Sequence, residues 1–157
     1  MPATDADVIV AEGDIGVGLQ GVEWLAQANK PTIYVAGNHE YYGGDIVHTR
    51  VAIAELAKST QVVFLENDSC EIDDVRFLGA TLWTNFYDHD ADVMQRATQN
   101  MNDYQQIRCA SRHLTPEQLY DINFASCFWL ASELDKPFAG KTVVVTHHAP
   151  SSRSWPV

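Results

Sequence analysis

The sequence predicts an α/β chain built from layers of mixed β-sheet flanked by helices. Three observations carry that reading. Short β-branched runs alternate with helically spaced segments up to Leu65. A hairpin pattern follows at 71–78, so part of the sheet is antiparallel. A capped helix then leads into the run Thr142-Val143-Val144-Val145-Thr146. The 157 residues fit one domain, 1–157, with enough chain to bury an ordinary core.

Each element has its own warrant. Asp7–Ala11 is a β-branched run ended by Gly13 and reads as a buried strand. Around Leu19–Asn29, Val22, Leu25 and Ala26 recur at helical spacing until Lys30-Pro31 breaks the helix. Thr32–Ala36 reads as a second strand stopped by Gly37. Asp45 caps a helix expected to reach about Lys58, with Val47, Val51 and Ala54 near one face. Val62–Leu65 is a third strand, and Glu66–Ser69 is turn-like. Two short strands flank the acidic turn Asp73-Asp74. Residues 84–114 are polar and poorly periodic, which predicts an irregular excursion with one or two short helices. Thr115-Pro116-Glu117-Gln118 is a capping box with Pro at the first helical position. Leu119, Ile122, Trp129, Leu130 and Leu134 supply the buried stripe of the helix it starts. The run 142–146 reads as the clearest buried strand, running into His147-His148.

Composition narrows the function classes. With 46% hydrophobic and 20% charged residues the chain is globular. Ten Lys+Arg against 21 Asp+Glu give a formal charge of −11, which argues against gripping nucleic acid or anionic membrane by charge. A phosphate-bearing substrate stays open, because a bound metal reverses the local field. No apolar run approaches membrane-span length. The N-terminus lacks the regions of a signal peptide. Cys70, Cys109 and Cys127 are odd in number and far apart, as expected of small buried residues in a reducing cytoplasm.

Three strand ends hold unusual polar residues: Gly13-Asp14, Gly37-Asn38-His39-Glu40 and Thr146-His147-His148. Ligands of open α/β sheets bind outside the carboxyl ends of parallel strands. That placement would bring Asp14, Asn38, His39 and His147 to one rim. Carboxylate, amide oxygen and imidazole together suit Mn, Fe or Zn. An Asp can bridge two metals, and a nearby His can protonate a departing alkoxide.

These residues resemble the calcineurin-like metallophosphoesterases, whose pattern runs D-x-H, GD, GNH[ED], a His after a strand, and GHxH. The resemblance covers positions 7–155, and Phe77–Thr84 and Thr142–Ser151 look like a compact bacterial branch of that family. It implies hydrolysis of a phosphate mono- or diester by a metal-activated hydroxide, with two divalent ions in the complete site. It implies Asp14, Asn38 and His147 as metal ligands, Asp14 bridging, and His39 as acid or charge stabiliser at the leaving group. Glu40 is implied as an orienting residue, and His148 as an alternative ligand or neighbour of one. Arg153 is a candidate contact to substrate phosphate. No D-x-H precedes Asp14 and no GHxH follows His147, so the expected sandwich is incomplete at both ends and its metal site partial. A missing strand leaves an unpaired edge, from which low stability, homodimerisation through that edge or weak metal binding is expected.

Two other classes compete. Gly16-Val17-Gly18-Leu19-Gln20-Gly21 fits G-x-G-x-x-G, with Glu40 placed as the acidic residue of a dinucleotide fold. Against it, Glu12–Ile15 separate strand from fingerprint, and Asp14 would oppose a pyrophosphate. The third class is a phosphoesterase-like scaffold that binds a partner without catalysis. Asp88-His89-Asp90 is a weak replacement ligand, and the acidic run is most simply a solvated turn. Ser151, Ser152 and Ser154 lack a nucleophile elbow, and His48 and His113 read as surface residues.

Overall fold

Strands β1 (Ile9–Ala11), β2 (Thr32–Tyr34) and β3 (Val62–Phe64) form a parallel sheet in that order, in a computed structural model that describes residues 4–154. Met1–Ala3 and Trp155–Val157 lie outside the described residues, and with them Trp155, the last position of the family resemblance. The register Ile9↔Thr32 and Thr32↔Val62 aligns the three strands so that their carboxyl ends meet at one rim. The crossovers are α1 (Gln20–Leu25), continued by a 3₁₀ turn over Ala26–Ala28, and α2 (Ile46–Ala57). Val22, Leu25, Ile53 and Ala57 bury against Ala11, Tyr34 and Val62. Such helix-to-sheet burial is the main term holding parallel strands together.

Asp45 caps α2 as expected, accepting from the amides of Val47 and His48 at 3.0 and 3.4 Å. The buried face differs from the expected one: Ile46, Ile53 and Ala57 point inward, while Val47 and Val51 are exposed. Apolar residues occupy two adjoining stripes of this helix, so helical spacing alone does not choose which one meets the sheet.

Strands β4 (Asp68–Ile72) and β5 (Val75–Ala80) form the expected hairpin around Asp73-Asp74. β5 also pairs in parallel with β8 (Lys141–Thr146), giving a second sheet in the order β4-β5-β8. The two sheets meet through Ile33, Val35 and Leu65 on one side and Phe77 and Val145 on the other. β8 corrects the expectation of a fully buried strand, because Val143 and Val144 are 37% and 42% exposed. It is an edge strand whose one ladder partner among the described residues is β5. Its apolar run therefore borders a cleft of about 410 Å³ between Val10 of β1 and the residues from Val143 to Pro150.

The excursion is more ordered than its composition suggests. It holds a left-handed turn α3 (Phe86–His89), then α4 (Ala91–Asn100) and α5 (Asp103–Gln106). A two-stranded ribbon, β6 (Arg108–Cys109) and β7 (Arg112–His113), follows. Trp83, Phe86, Met94, Tyr104, Ile107 and Leu114 form one core with Tyr41 and Ile46. Backbone bonds from Gly43 N–H to the Gln106 carbonyl (2.8 Å) and from Arg108 N–H to the Gly44 carbonyl (2.9 Å) stitch the excursion to the loop before α2. Helix α6 (Pro116–Leu134) begins at the reciprocal Thr115–Gln118 capping box. It buries Leu119, Asn123, Ser126 and Leu130. Leu134, expected in the buried stripe, is exposed, as are Phe124 and Phe128.

Candidate functional site

Four of the expected residues come together at the rim. Asp14 and Asn38 follow β1 and β2, and His147 follows β8, which belongs to the other sheet. His147 Nε2 lies 3.2 Å from Asn38 Oδ1 and 3.5 Å from Asp14 Oδ1. His39 stands at the mouth, its Nδ1 3.8 Å from Asp14 Oδ2 and its backbone N–H donating to Asp14 Oδ1 at 3.1 Å. Its ring rests on Tyr42 at 4.6 Å between centroids.

Two glycines make this convergence sterically feasible. A side chain at Gly13 would collide with the Gly37 backbone and with His147 Nδ1. One at Gly37 would fill the space taken by Asp14 Oδ1 and the His147 ring. Gly13 also takes φ of +91°, a conformation open to glycine at little cost.

Glu40 organises the turn from beneath. It is fully buried, and Oε2 accepts the N–H groups of Asp14 (2.9 Å) and Gly37 (2.6 Å). Oε1 accepts those of Ile15 (2.8 Å) and Gly16 (3.2 Å). A buried carboxylate is tolerable when several amides point at it. The first two strand-end loops are thus clamped by one side chain, which has no oxygen left over for a metal. The amides of Ile15 and Gly16, which a dinucleotide loop would offer to pyrophosphate, are already engaged by Glu40.

The protons in the cluster can be assigned from partners. His147 Nδ1 is 2.7 Å from the Glu12 carbonyl, which can only accept, so this nitrogen carries a proton. Asn38 Nδ2 donates to Asp103 Oδ1 at 2.9 Å, which aims Oδ1 into the cluster. In the neutral imidazole the Nε2 lone pair then faces two oxygen acceptors with nothing to satisfy it. Three lone pairs converging on one point fit a cation. The donor set of carboxylate, amide oxygen and imidazole suits a divalent ion of intermediate hardness. Among the described residues no group of three or more His, Cys, Asp or Glu side chains gathers to hold a metal.

The remaining candidates lie elsewhere or have other partners. His148 Nδ1 lies 3.2 Å from the Thr81 carbonyl, and its ring stacks on Trp83 at 5.2 Å. Burial, with His147 beside it, holds His148 below the ordinary imidazole range. Arg153 is exposed on a 3₁₀ turn, Ser152–Ser154. His89 packs edge-on against Tyr120, and Asp90 caps α4 through the Val93 N–H. Asp103, in the poorly periodic excursion, is the residue that sequence patterns did not single out.

No family model and no solved structure matches the chain significantly. Among curated proteins it is similar to Uncharacterized protein L509 of Acanthamoeba polyphaga mimivirus, with 27% identity over 127 residues. That alignment covers 74% of this chain and 44% of the viral protein, so the chain spans under half of its relative's length. No helix of the described residues is long and apolar enough to cross a membrane.

Proposed function

We propose that this chain carries the metal centre of a calcineurin-like phosphoesterase that hydrolyses a phosphate mono- or diester. The two three-stranded sheets with flanking helices would then belong to that family's sandwich. The observation that carries the reading is the convergence of His147 Nε2, Asn38 Oδ1 and Asp14 Oδ1 on one point. Divalent ions held there (Mn, Fe or Zn) would activate water and neutralise charge developing on phosphorus. Asp14 and His147 would hold the cation from two different sheets, and Glu40 fixes the loop that presents Asp14. His39, half-exposed at the mouth and braced on Tyr42, is placed to hold or deliver a proton at a leaving-group oxygen. The substrate is a small phosphate ester, admitted once cations offset the acidity of the chain. Three free thiols, Cys70, Cys109 and Cys127, suit a reducing cytoplasm.

A second reading, a scaffold that binds a partner without catalysis, draws on the exposed Phe124, Phe128, Val143 and Val144. One assay separates the two: hydrolysis of an aryl phosphate mono- or diester with added Mn²⁺. The catalytic reading expects Asp14→Ala and His39→Ala each to reduce the rate by about 100-fold or more, the scale set by losing charge stabilisation or acid catalysis. Hydrolysis indifferent to both substitutions would refute the site.

A further inference from the structure

The structure assigns Asp103 as the residue that positions Asn38, by forbidding the amide from turning its nitrogen into the cluster. This inference rests on the metal-centre reading above. Asp103 is 2% exposed and opens α5, 65 residues from Asn38. Its Oδ1 accepts from Asn38 Nδ2 at 2.9 Å and from the Tyr42 hydroxyl at 2.7 Å. The hydroxyl oxygen in turn lies 3.3 Å from Asn38 Nδ2, closing a triangle. The Tyr42 hydroxyl faces a carboxylate oxygen that can only accept, so it is the donor of that bond.

The chemistry of the pair explains why an acid stands at 103. An asparagine amide has two nearly isosteric ends, and in an open cluster either could face inward. A carboxylate accepts and never donates, so only the nitrogen end of Asn38 can turn toward it, and Oδ1 is left facing His147. An asparagine at 103 would itself offer both a donor and an acceptor and would lose this discrimination. The other carboxylate oxygen, Oδ2, is buried with no partner. Burying a carboxylate with one oxygen unpaired costs stability, so the bonds on Oδ1 are held at a cost.

The test is a titration of the metal-free chain with Mn²⁺ alone, read by the electron paramagnetic resonance of the free ion. Melting is measured in parallel without metal. Asp103→Asn should weaken Mn²⁺ binding about 10- to 100-fold, the range for partners that orient a ligand. A carboxylate at 38 has no wrong end to present, so in an Asn38→Asp background the same Asp103→Asn change should cost much less Mn²⁺ affinity, whereas a merely structural role for Asp103 would cost as much in either background. Should Asp103→Asn fail to fold, Tyr42→Phe supplies a milder disturbance of the same triangle and should weaken Mn²⁺ measurably. Unchanged affinity in Asp103→Asn, or in Tyr42→Phe where it stands in, overturns the inference, as does an equal loss from Asp103→Asn in the Asn38 and Asn38→Asp backgrounds. Failure of the parent chain to bind Mn²⁺ removes the metal reading instead. The positioning role is then decided by the Asn38 side-chain NH₂ resonance. Protection from exchange that Asp103→Asn or Tyr42→Phe abolishes supports it, and rapid exchange in the parent refutes it.

Discussion

Replacing Glu40 by glutamine tests the clamp beneath the site without any metal. Glu40 is buried and takes four backbone N–H donors, two on each oxygen, at 2.6 to 3.2 Å. Glutamine preserves the shape but keeps one oxygen. Whichever end carries the NH₂ group, two of the four amides then face a donor. A buried donor left unsatisfied costs about 1–3 kcal/mol, so two cost about 2–6 kcal/mol. Relief from burying a charge offsets part of this, while the two surviving bonds lose their charge assistance. A net loss of about 4 kcal/mol is a large share of the roughly 5–15 kcal/mol available to a domain. At about 2–4 °C per kcal/mol for a chain of this size, the melting temperature should fall by about 8–16 °C. Urea unfolding in chelator, followed through the four tryptophans, measures it directly. A loss under about 1 kcal/mol would show that the clamp is not what holds the two loops.

Two further outcomes are expected. Thr115→Ala removes one half of the capping box on α6, whose reciprocal bonds are 3.1 and 3.3 Å, and should cost about 1 kcal/mol in the same denaturation assay. Glu66 titrates in the opposite sense from a salt-bridged acid. Burial raises its carboxyl, and only partly do the Thr81 hydroxyl (2.5 Å) and N–H (3.1 Å) counter this. The Thr81 hydroxyl also lies 2.9 Å from the Ala36 carbonyl, an arrangement satisfied when Glu66 is protonated and Thr81 donates to Ala36. With the folded pKa above the unfolded value, this contribution is full below about pH 4.5 and declines as pH rises through the folded value. The stability of Glu66→Gln relative to the parent should therefore grow with pH from 4.5 upward. Parallel curves for the two proteins would contradict that.

The parts legible in the sequence were those decided by neighbours in the chain. Asp45 and Thr115 cap their helices because capping needs only the next three residues. The Asp73-Asp74 hairpin is equally local. The rim residues Asp14, Asn38 and His39 could be grouped because the parallel strands β1 and β2 end on one side, whereas His147 reaches the same rim from β8 of the second sheet, which strand order alone does not decide. What tertiary packing decides could not be read. Thr-Val-Val-Val-Thr reads as buried from its composition, yet β8 has one ladder partner among the described residues and an exposed flank. Val47 and Val51 share helical spacing but face solvent, because the sheet selects the stripe beginning at Ile46. The left-handed turn at Phe86–His89 and the Ala110-Ser111 reversal carry none of the glycines that announce such backbone. Asp103 was unreadable for a plainer reason: a single acid in an aperiodic segment gives no sign that it will meet Asn38.

The contacts that shape the cluster are long in sequence: His147 reaches the Glu12 carbonyl across 135 residues, and Asn38 reaches Asp103 across 65. Closing such loops costs chain entropy before the contact repays it, so these are late events in folding. During synthesis the first parallel strands and the Glu40 clamp can form early. Asn38 is oriented only after the excursion docks, and His147 arrives only when β8 pairs with β5. On the proposed function, a cation that recognises the finished cluster would act by mass action on that last docking step. The supply of that ion would then govern how much of the chain is folded.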